Sequence, residues 1–275
     1  QPLRLMVLIP EGSNRFLQML GDVIGYAQDH WAPFNVRCQA AYIESFNPEA
    51  LAKALLHYGK RCDGIAFMAL EHPVVREAVA QLAEQGVPAV TLISDLSNSR
   101  RVAYVGLDNR AAGRTAAYLI ARFMGPLAHS PQSRPARVAM IVGSLRYRAH
   151  EEREAGFLHL FEEQFPLVQV VGVREGQDDA EKNYSQARAL LEQYGDLAAI
   201  YNIGGGAEGI GRALKEVGAD RKLVFIGHGL TPDTRALLID GTMAAVITQS
   251  PQGAVMNCVR ILANQRDGCE ATNGV

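Results

Sequence analysis

The chain has 275 residues, of which 48% are hydrophobic and 20% charged, and its formal net charge at pH 7 is −2. This length allows one large α/β domain or two lobes of ordinary size, and the composition excludes an intrinsically disordered chain. Charges of both signs are interleaved, so the sequence contains no basic face of the kind that binds nucleic acid. Its longest apolar runs, such as LMVLIP and LAAIYNI, are far shorter than the ~20 residues of a membrane span. We therefore expect no membrane contact.

The first residue is Gln1 rather than methionine, and the sequence opens directly on a strand-like run. No signal peptide is visible. Because the first residue is not a start methionine, we expect that an upstream segment has been removed. The four cysteines, Cys38, Cys62, Cys258 and Cys269, show neither a CxxC pair nor a zinc-type spacing. Buried reduced thiols are the expected state, which favours the cytosol.

Strands and helices alternate through the first half of the chain. Asn47 and Pro48 are typical of the first positions of a helix, and Gly86 is typical of a residue just beyond a helix end. The predicted strands cover 3–10, 35–43, 62–70, 87–94 and 101–108, and the predicted helices 12–30, 48–58 and 73–85.

The same alternation continues in the second half. A helix over 109–124, capped by Asp108 or Asn109, precedes a loop over 125–135 that is rich in proline, serine and glycine. Continuously apolar strands in this rhythm predict an α/β fold with parallel sheets covered on both faces. The later strands cover 137–143, 168–175, 198–204, 222–228 and 243–249, and the helices 150–164, 179–194, 207–217, 232–240 and 251–264.

Open parallel sheets bind ligands where their strands end and lead into helices. The sequence therefore places candidate site residues directly after the strands of both halves. In the first half these are Ser13, Asn14, Phe16, Met68, Ser94 and Asp95; in the second half they are Tyr147, Arg148, Arg153, Asp178, Asn202, His228 and Gln249.

Several motifs have a structural as well as a functional interpretation. GGGAEG at 204–209 fits GxGxxG, but the next strand ends in His228 and Gly229 rather than in the acidic residue that a dinucleotide fold uses. We interpret the glycines as a tight turn and expect no cofactor. GxSxG, HExxH and a phosphate loop are absent from the sequence. His228 is more typical of a hydrogen-bonding side chain than of a catalyst. His150 with Glu151 and Glu152 fits a solvated first helical turn better than a metal site.

Arg153 lies in the first turn of the predicted helix over 150–164. There its planar guanidinium can donate to vicinal hydroxyls or to a carboxylate. A surface salt bridge with a neighbouring glutamate is the alternative.

Several segments together resemble the lactose-repressor and galactose-repressor family over nearly the whole chain. VAYVGLDNRAAGRTAAYLI resembles the family's central signature, where the chain crosses between lobes, and Arg153, Gly156 and Phe157 resemble its Arg-x-x-Gly-Phe motif. AAIYNIGGGAEGIGRAL and the segment KLVFIGHG…VITQSPQG resemble its last units. The resemblance implies the type 1 periplasmic-binding-protein architecture, which also serves solute-binding proteins.

This resemblance implies two lobes, 1–105 with 251–275 and 106–250, and a ligand cleft between them. Arginine, asparagine and glutamine would hydrogen-bond hydroxyls, and Phe16 would pack on an apolar ring face. The expected ligand-binding residues are Ser13, Asn14, Phe16, Asp95, Tyr147, Arg153, Asp178, Asn202, His228 and Gln249.

Three positions depart from the family pattern. Asp178 stands nearest to the place of a stacking aromatic, Gly229 replaces an acidic residue, and Met68 replaces a frequent asparagine. These departures count against an ordinary hexose and leave a polyol, a modified sugar and a positively charged ligand as alternatives. Asp178 also fits an N-cap for the helix over 179–194.

The resemblance favours the effector-binding core of a cytoplasmic bacterial transcriptional regulator. Such a core would form homodimers, with contacts from helices 73–85 and 232–240, and would control operator DNA through a helix-turn-helix head absent from this chain.

The alternative is a periplasmic solute-binding protein of a sugar transporter. An enzyme would need a titratable pair in the cleft, and Asp95 with His228 is the pair that the sequence offers. We expect a binding protein, not an enzyme.

Overall fold

A computed structural model describes residues 1–268 and shows two α/β lobes. Each lobe is built around a five-stranded parallel sheet. Within the described residues, no helix is both long enough and apolar enough to cross a membrane. The predicted fold class is confirmed.

The first lobe contains the strand order β2-β1-β3-β4-β5. Helices follow the first three strands and cover the sheet on both faces, as a right-handed parallel arrangement requires. The elements are β1 (Leu3–Pro10), α1 (Arg15–Trp31), β2 (Val36–Ile43), α2 (Pro48–Gly59), β3 (Gly64–Phe67), α3 (Pro73–Glu84), β4 (Ala89–Leu92) and β5 (Ala103–Val105), with a short 3₁₀ turn at Ala32–Phe34.

The second lobe repeats this order, because its sheet runs β10-β9-β8-β6-β7. Its first strand therefore lies between its second and third, as in the first lobe. The elements are α4 (Asn109–Met124), β6 (Arg137–Val142), α5 (Arg148–Gln164), β7 (Gln169–Glu175), α6 (Ala180–Gln193), β8 (Leu197–Asn202), α7 (Ala207–Glu216), β9 (Val224–His228), α8 (Pro232–Ile239) and β10 (Ala245–Ile247), and the predicted loop after α4 begins with a 3₁₀ turn at Gly125–His129.

The last helix, α9 (Pro251–Arg266), packs on α1 and on strands of the first sheet. Its Val255 and Cys258 belong to the core of the first lobe. The chain thus crosses between the lobes over 106–108 and again over 248–250. We propose lobe boundaries at these crossings, as the sequence predicted; residues 269–275 lie outside the described part of the chain.

Several central strands are shorter than their apolar runs predicted. β3 and β4 have four residues each, all of them buried. Ile93, directly after β4, has φ +67, a left-handed conformation that breaks the strand. The apolar residues beyond these strand ends stay buried without joining the ladder, because they form the floor of the region between the lobes.

Helix caps follow the predicted chemistry at most positions. The side chains of Asn47 and Asp108 accept from the backbone N–H groups of Ala50 and Ala111. Gly86 has φ +76 beyond the end of α3. Asp179, not Asp178, caps α6 by accepting from Lys182 N, which leaves the Asp178 carboxylate available for other contacts.

Three of the cysteines are buried free thiols, as expected: Cys38, Cys62 and Cys258. Burial raises the pKa of Cys38 and of Cys258 to about 12. These thiols are therefore protonated and unreactive at neutral pH. Cys269 lies outside the described residues.

Two glycines let α4 and α5 approach each other closely. A Cβ on Gly113 would lie 2.0 Å from the backbone oxygen of Arg153, and one on Gly156 would lie 2.1 Å from that of Arg110. No side chain can occupy these positions without moving a backbone, so the glycines set the distance between the helices. Because Arg153 lies on α5, this distance also sets the position of its guanidinium.

We expect Gly113→Ala to lower the free energy of unfolding by about 1–3 kcal/mol, because the added methyl forces two packed helices apart. Gly25→Ala is the matched control, since Gly25 is also helical and a Cβ there would meet nothing within 4 Å. The control should raise stability by about 0.5–1 kcal/mol. Urea unfolding of both variants measures the difference; equal stability of the two would contradict the packing account.

A candidate ligand cleft between the lobes

A cavity of about 690 Å³, its opening included, lies where the carboxyl ends of both sheets face each other. In each lobe it lies near the position where strand order reverses, beside the first strand of the sheet. Ligands of open α/β sheets bind at such positions. The walls come from both lobes, so a bound molecule would be enclosed between them.

Six of the ten predicted ligand-binding residues line this cavity: Asn14, Phe16, Arg153, Asp178, His228 and Gln249. The other four, Ser13, Asp95, Tyr147 and Asn202, do not line it. Contact of all ten with a ligand remains a prediction, and the structure gives the last four residues other partners, described below.

Arg153 is buried in the wall of the second lobe, with 5% of its surface exposed. Its Nε donates to Asn109 Oδ1 at 2.9 Å, and one terminal nitrogen donates to the Ile203 carbonyl at 2.8 Å. The surface salt bridge considered from the sequence forms instead between Arg148 and Glu152. Burial lowers the pKa of Arg153, but an arginine stays charged in proteins. The second terminal nitrogen has no protein partner among residues 1–268.

Asp178 is 7% exposed and lies over the ends of β6 and β8. Its Oδ1 accepts from Gly205 N at 2.7 Å, and its Oδ2 accepts from Asn14 Nδ2 of the other lobe at 3.2 Å. A Cβ on Gly143 or Gly204 would lie 2.4 or 2.2 Å from Oδ1. The run of glycines at 204–206 therefore makes room for a buried carboxylate.

His228 forms a pair with Tyr201 at the end of β9. The distance between Tyr201 Oη and His228 Nε2 is 2.6 Å. His228 Nδ1 is buried and has no hydrogen-bond partner in the described chain. Burial lowers the pKa of His228 well below its usual value, so the ring is neutral. Such an unsatisfied buried atom at a cavity wall is costly unless a ligand or water satisfies it.

His150 also lines the cavity, and the sequence interpretation missed it. The residue is 4% exposed, and its Nδ1 accepts from Ser144 N at 3.2 Å. That contact places the proton of the neutral ring on Nε2. His150 could have been predicted as a site residue from its position in the first turn of α5, just after a strand-end loop. The two glutamates that follow it favoured a solvent-exposed turn instead.

Tyr147 and Ser13 join the lobes outside the cavity. Tyr147 belongs by sequence to the second lobe but packs in the core of the first, with its ring centroid 5.6 Å from that of Phe46. Beside it, Ala149 N donates to Ser94 Oγ at 3.0 Å. Ser13 Oγ donates to the Asp178 carbonyl at 3.3 Å in the same region. The two lobes thus meet directly beside the cavity.

The side chains of Asp95 and Asn202 form hydrogen bonds within their own lobes. Both Asp95 oxygens accept from Arg101 at 2.8 Å, and Oδ1 also accepts from Thr91. Asn202 donates to the Gly205 carbonyl at 3.0 Å and supports the glycine turn. Since Asp95 is not at the cavity, the structure does not assemble the Asp95–His228 pair that an enzyme would have used. Over residues 1–268, no group of three metal-ligating side chains comes together.

We expect Asp95→Asn to lower the free energy of unfolding at pH 7 by about 1–2 kcal/mol, because it weakens a partly buried ion pair. Burial raises the pKa of Asp95, but the hydrogen bonds from Arg101 and Thr91 outweigh this and hold it below its usual value. The stabilisation is therefore present above pH ~3.9 and is lost as pH falls through the lower folded value.

Urea unfolding at pH 7 and pH 3 checks this expectation, with Asp22→Asn on the exposed face of α1 as the control. The loss should appear for Asp95→Asn at pH 7 and shrink at pH 3. A pH-independent loss would show that the charge does not contribute.

We expect stability to fall as pH drops from 6.5 to 5, by up to ~1.4 kcal/mol per pH unit for each buried histidine. Burial lowers the pKa of His150 from 6.5 to about 4, and that of His228 also lies low. The unfolded chain takes up protons in this window while the folded chain does not. Unfolding free energies of wild type, His150→Gln and the exposed-site control His57→Gln measure the slope. Only His150→Gln should reduce it; an unchanged slope in that variant would refute the assignment.

The chain is similar to two curated sugar-binding proteins. It is 28% identical over 179 residues to the ribose import binding protein RbsB of Haemophilus influenzae, covering 65% of this chain and 57% of that protein. It is 26% identical over 200 residues to the D-allose-binding periplasmic protein of Escherichia coli, covering 70% of this chain and 62% of that protein. The matched region thus spans about three fifths of each relative.

Among solved structures, the fold is similar to that of GanP, a glucose-galactose binding protein from Geobacillus stearothermophilus. The TM-score is 0.87, with 22% sequence identity, and the alignment covers 99% of this chain and 94% of GanP. At this identity the likeness shows the shared fold alone.

The expectation of a transcriptional regulator is wrong. The curated relatives are binding proteins for sugars, in import and in the periplasm, and none of them is a repressor. The operator-DNA partner was inferred from the regulator and is corrected with it. The cytoplasmic location, inferred from the regulator and from the cysteines, is also wrong, because the D-allose-binding relative is periplasmic and the family model describes a periplasmic binding protein domain. The error arose because regulators and solute-binding proteins share this core, so the motifs identified the architecture and not the biology. A homodimer stays a prediction.

A family model described as a periplasmic binding protein domain matches residues 17–270. This match includes most of both lobes and the helix α9 that returns to the first. The chain belongs to this family of periplasmic binding protein domains.

Proposed function

We propose that this protein is the sugar-binding component of a solute import system and works in the periplasm. The observation that carries the proposal is the interlobe cavity, in which the buried Arg153 and the aromatic Phe16 come from opposite lobes. Guanidinium and amide groups suit hydroxyls, and an aromatic ring suits the apolar face of a sugar. The named functions of the curated relatives support the same conclusion.

The charges at the cavity favour a neutral ligand. Arg153 and Asp178 carry opposite charges, and Arg15 at the rim forms an ion pair with Asp233 at 3.3 Å. Both histidines are neutral, and the lining otherwise holds two arginines, Arg15 and Arg153, and two acidic residues, Asp178 and Glu208. A ligand with a net charge would lose water and find no excess of opposite charge. The positively charged ligand considered from the sequence is therefore the less favoured choice.

Isothermal titration calorimetry with ribose, allose, arabinose, glucose and galactose tests the proposal. We expect at least one to bind, and Arg153→Met to weaken it by about 10- to 100-fold through loss of charged hydrogen bonds. Arg148→Met, five residues earlier on α5 and outside the cavity lining, is the matched control and should retain binding.

Thermal unfolding of each variant separates lost binding from lost folding, because a bound ligand raises the melting temperature of a folded protein. Absence of binding to every sugar, by a protein with a normal melting transition, would overturn the proposed function.

A further inference from the structure

The two walls of the cavity differ in chemistry. The wall formed by the first lobe and the crossing segment after it is almost entirely hydrocarbon. Apart from Asn14 and Arg15, its lining side chains are Phe16, Leu17, Met68, Ile93 and Leu107.

The polar groups of this first wall, apart from the terminal nitrogens of Arg15, already have protein partners. Asn14 Oδ1 accepts from Leu17 N at 3.1 Å, and Asn14 Nδ2 donates to Asp178 at 3.2 Å, so both the oxygen and the nitrogen of its amide are hydrogen-bonded. The Tyr104 hydroxyl lies 3.1 and 2.8 Å from the carbonyls of Ile93 and Leu107 and shares its one proton between them. A hydroxyl facing this wall would therefore give up water and find few groups with which to hydrogen-bond.

The Asp95 carboxylate could have made this wall polar, but it is turned away. Arg101, six residues further along the chain, holds both of its oxygens. Ile93, which lines the cavity after the same strand, presents hydrocarbon instead. The apolar character of the wall thus follows from the local ion pair.

The second wall has the opposite character. Arg153 keeps one terminal nitrogen without a protein partner, and His150 keeps Nε2, within the part of the chain that the structure describes. His228 Nδ1 is buried and unpartnered there. The Gln249 side-chain amide likewise makes no hydrogen bond to residues 1–268. Apart from the terminal nitrogens of Arg15, whose Nε alone pairs with Asp233, the available side-chain hydrogen-bonding groups of the cavity therefore come from the second lobe and the crossing after it.

We propose that the solute is a deoxy sugar or deoxy polyol, with hydroxyls along one edge and a methyl or methylene group along the other. This inference rests on the proposed sugar-binding function and specifies its substrate class. The hydroxylated edge faces Arg153 and the two histidines, and the hydrocarbon edge packs against Met68 and Ile93. Burial of that edge is favourable because it removes apolar surface from water on both sides of the contact.

Calorimetric titration of matched pairs that differ by one oxygen tests the proposal: D-galactose and D-fucose, L-galactose and L-fucose, L-mannose and L-rhamnose, D-ribose and 5-deoxy-D-ribose. We expect the deoxy member of the best-binding pair to bind about 10-fold more tightly or better, since its partner buries an unsatisfied hydroxyl. Equal or tighter binding of the fully hydroxylated member would overturn the deoxy assignment and leave the sugar-binding function standing. Absence of binding to all eight, and to the sugars named above, would overturn both.

Ile93→Asn gives a second, independent readout. It adds an amide to the apolar wall at a position with φ +67, a backbone conformation that asparagine adopts more readily than isoleucine. We expect the preference within the best pair to shift toward the hydroxylated sugar by about 10-fold. Gly25→Ala on the distant face of α1 is the control and should keep the wild-type preference.

Met68→Asn, at the position directly after β3, provides the same test if Ile93→Asn fails to fold. An unchanged preference in a folded asparagine variant at either position would contradict the assignment of this wall to the hydrocarbon edge.

Discussion

The Asp178 carboxylate is the charge on which the arrangement of the site depends. It is buried at the ends of two strands of the second sheet, and a buried carboxylate persists only when it is hydrogen-bonded. One of its oxygens accepts from the backbone of Gly205 and the other from Asn14 of the opposite lobe. Gly143 and Gly204 must lack side chains because this carboxylate occupies the space. One residue thus shapes the cavity and joins the lobes.

Arg153 is placed by a different device, the close contact of α4 and α5. Glycines at the contact allow the Arg153 backbone to touch α4, and Asn109, at the start of α4, accepts from its Nε. Asn109 in turn donates to Tyr104, at the end of the first sheet. The guanidinium is therefore held by Asn109 of α4 and by the carbonyl of Ile203, just after β8, before any ligand arrives. Preorganisation of this kind reduces the entropy lost on binding.

The elements of the fold were predictable from the sequence because parallel strands buried on both faces are continuously apolar, and Asn47, Asp108 and Gly86 mark helix ends by local chemistry. The cavity-lining positions were predictable only as strand ends. Which of those side chains turn inward depends on partners that no local pattern shows: Arg101 draws Asp95 away. The His150 ring is drawn into the core although two glutamates follow it. The biological role was not predictable, because the same core serves regulators and transport proteins.

Contacts between the lobes also have a kinetic consequence. Ser94, Arg146 and Tyr147 join the lobes without lining the cavity. A solute enclosed by both walls can leave only after such contacts break, so its residence time depends partly on residues that never touch it. Differences in residence time between related binding proteins can therefore arise far from the residues that select the sugar.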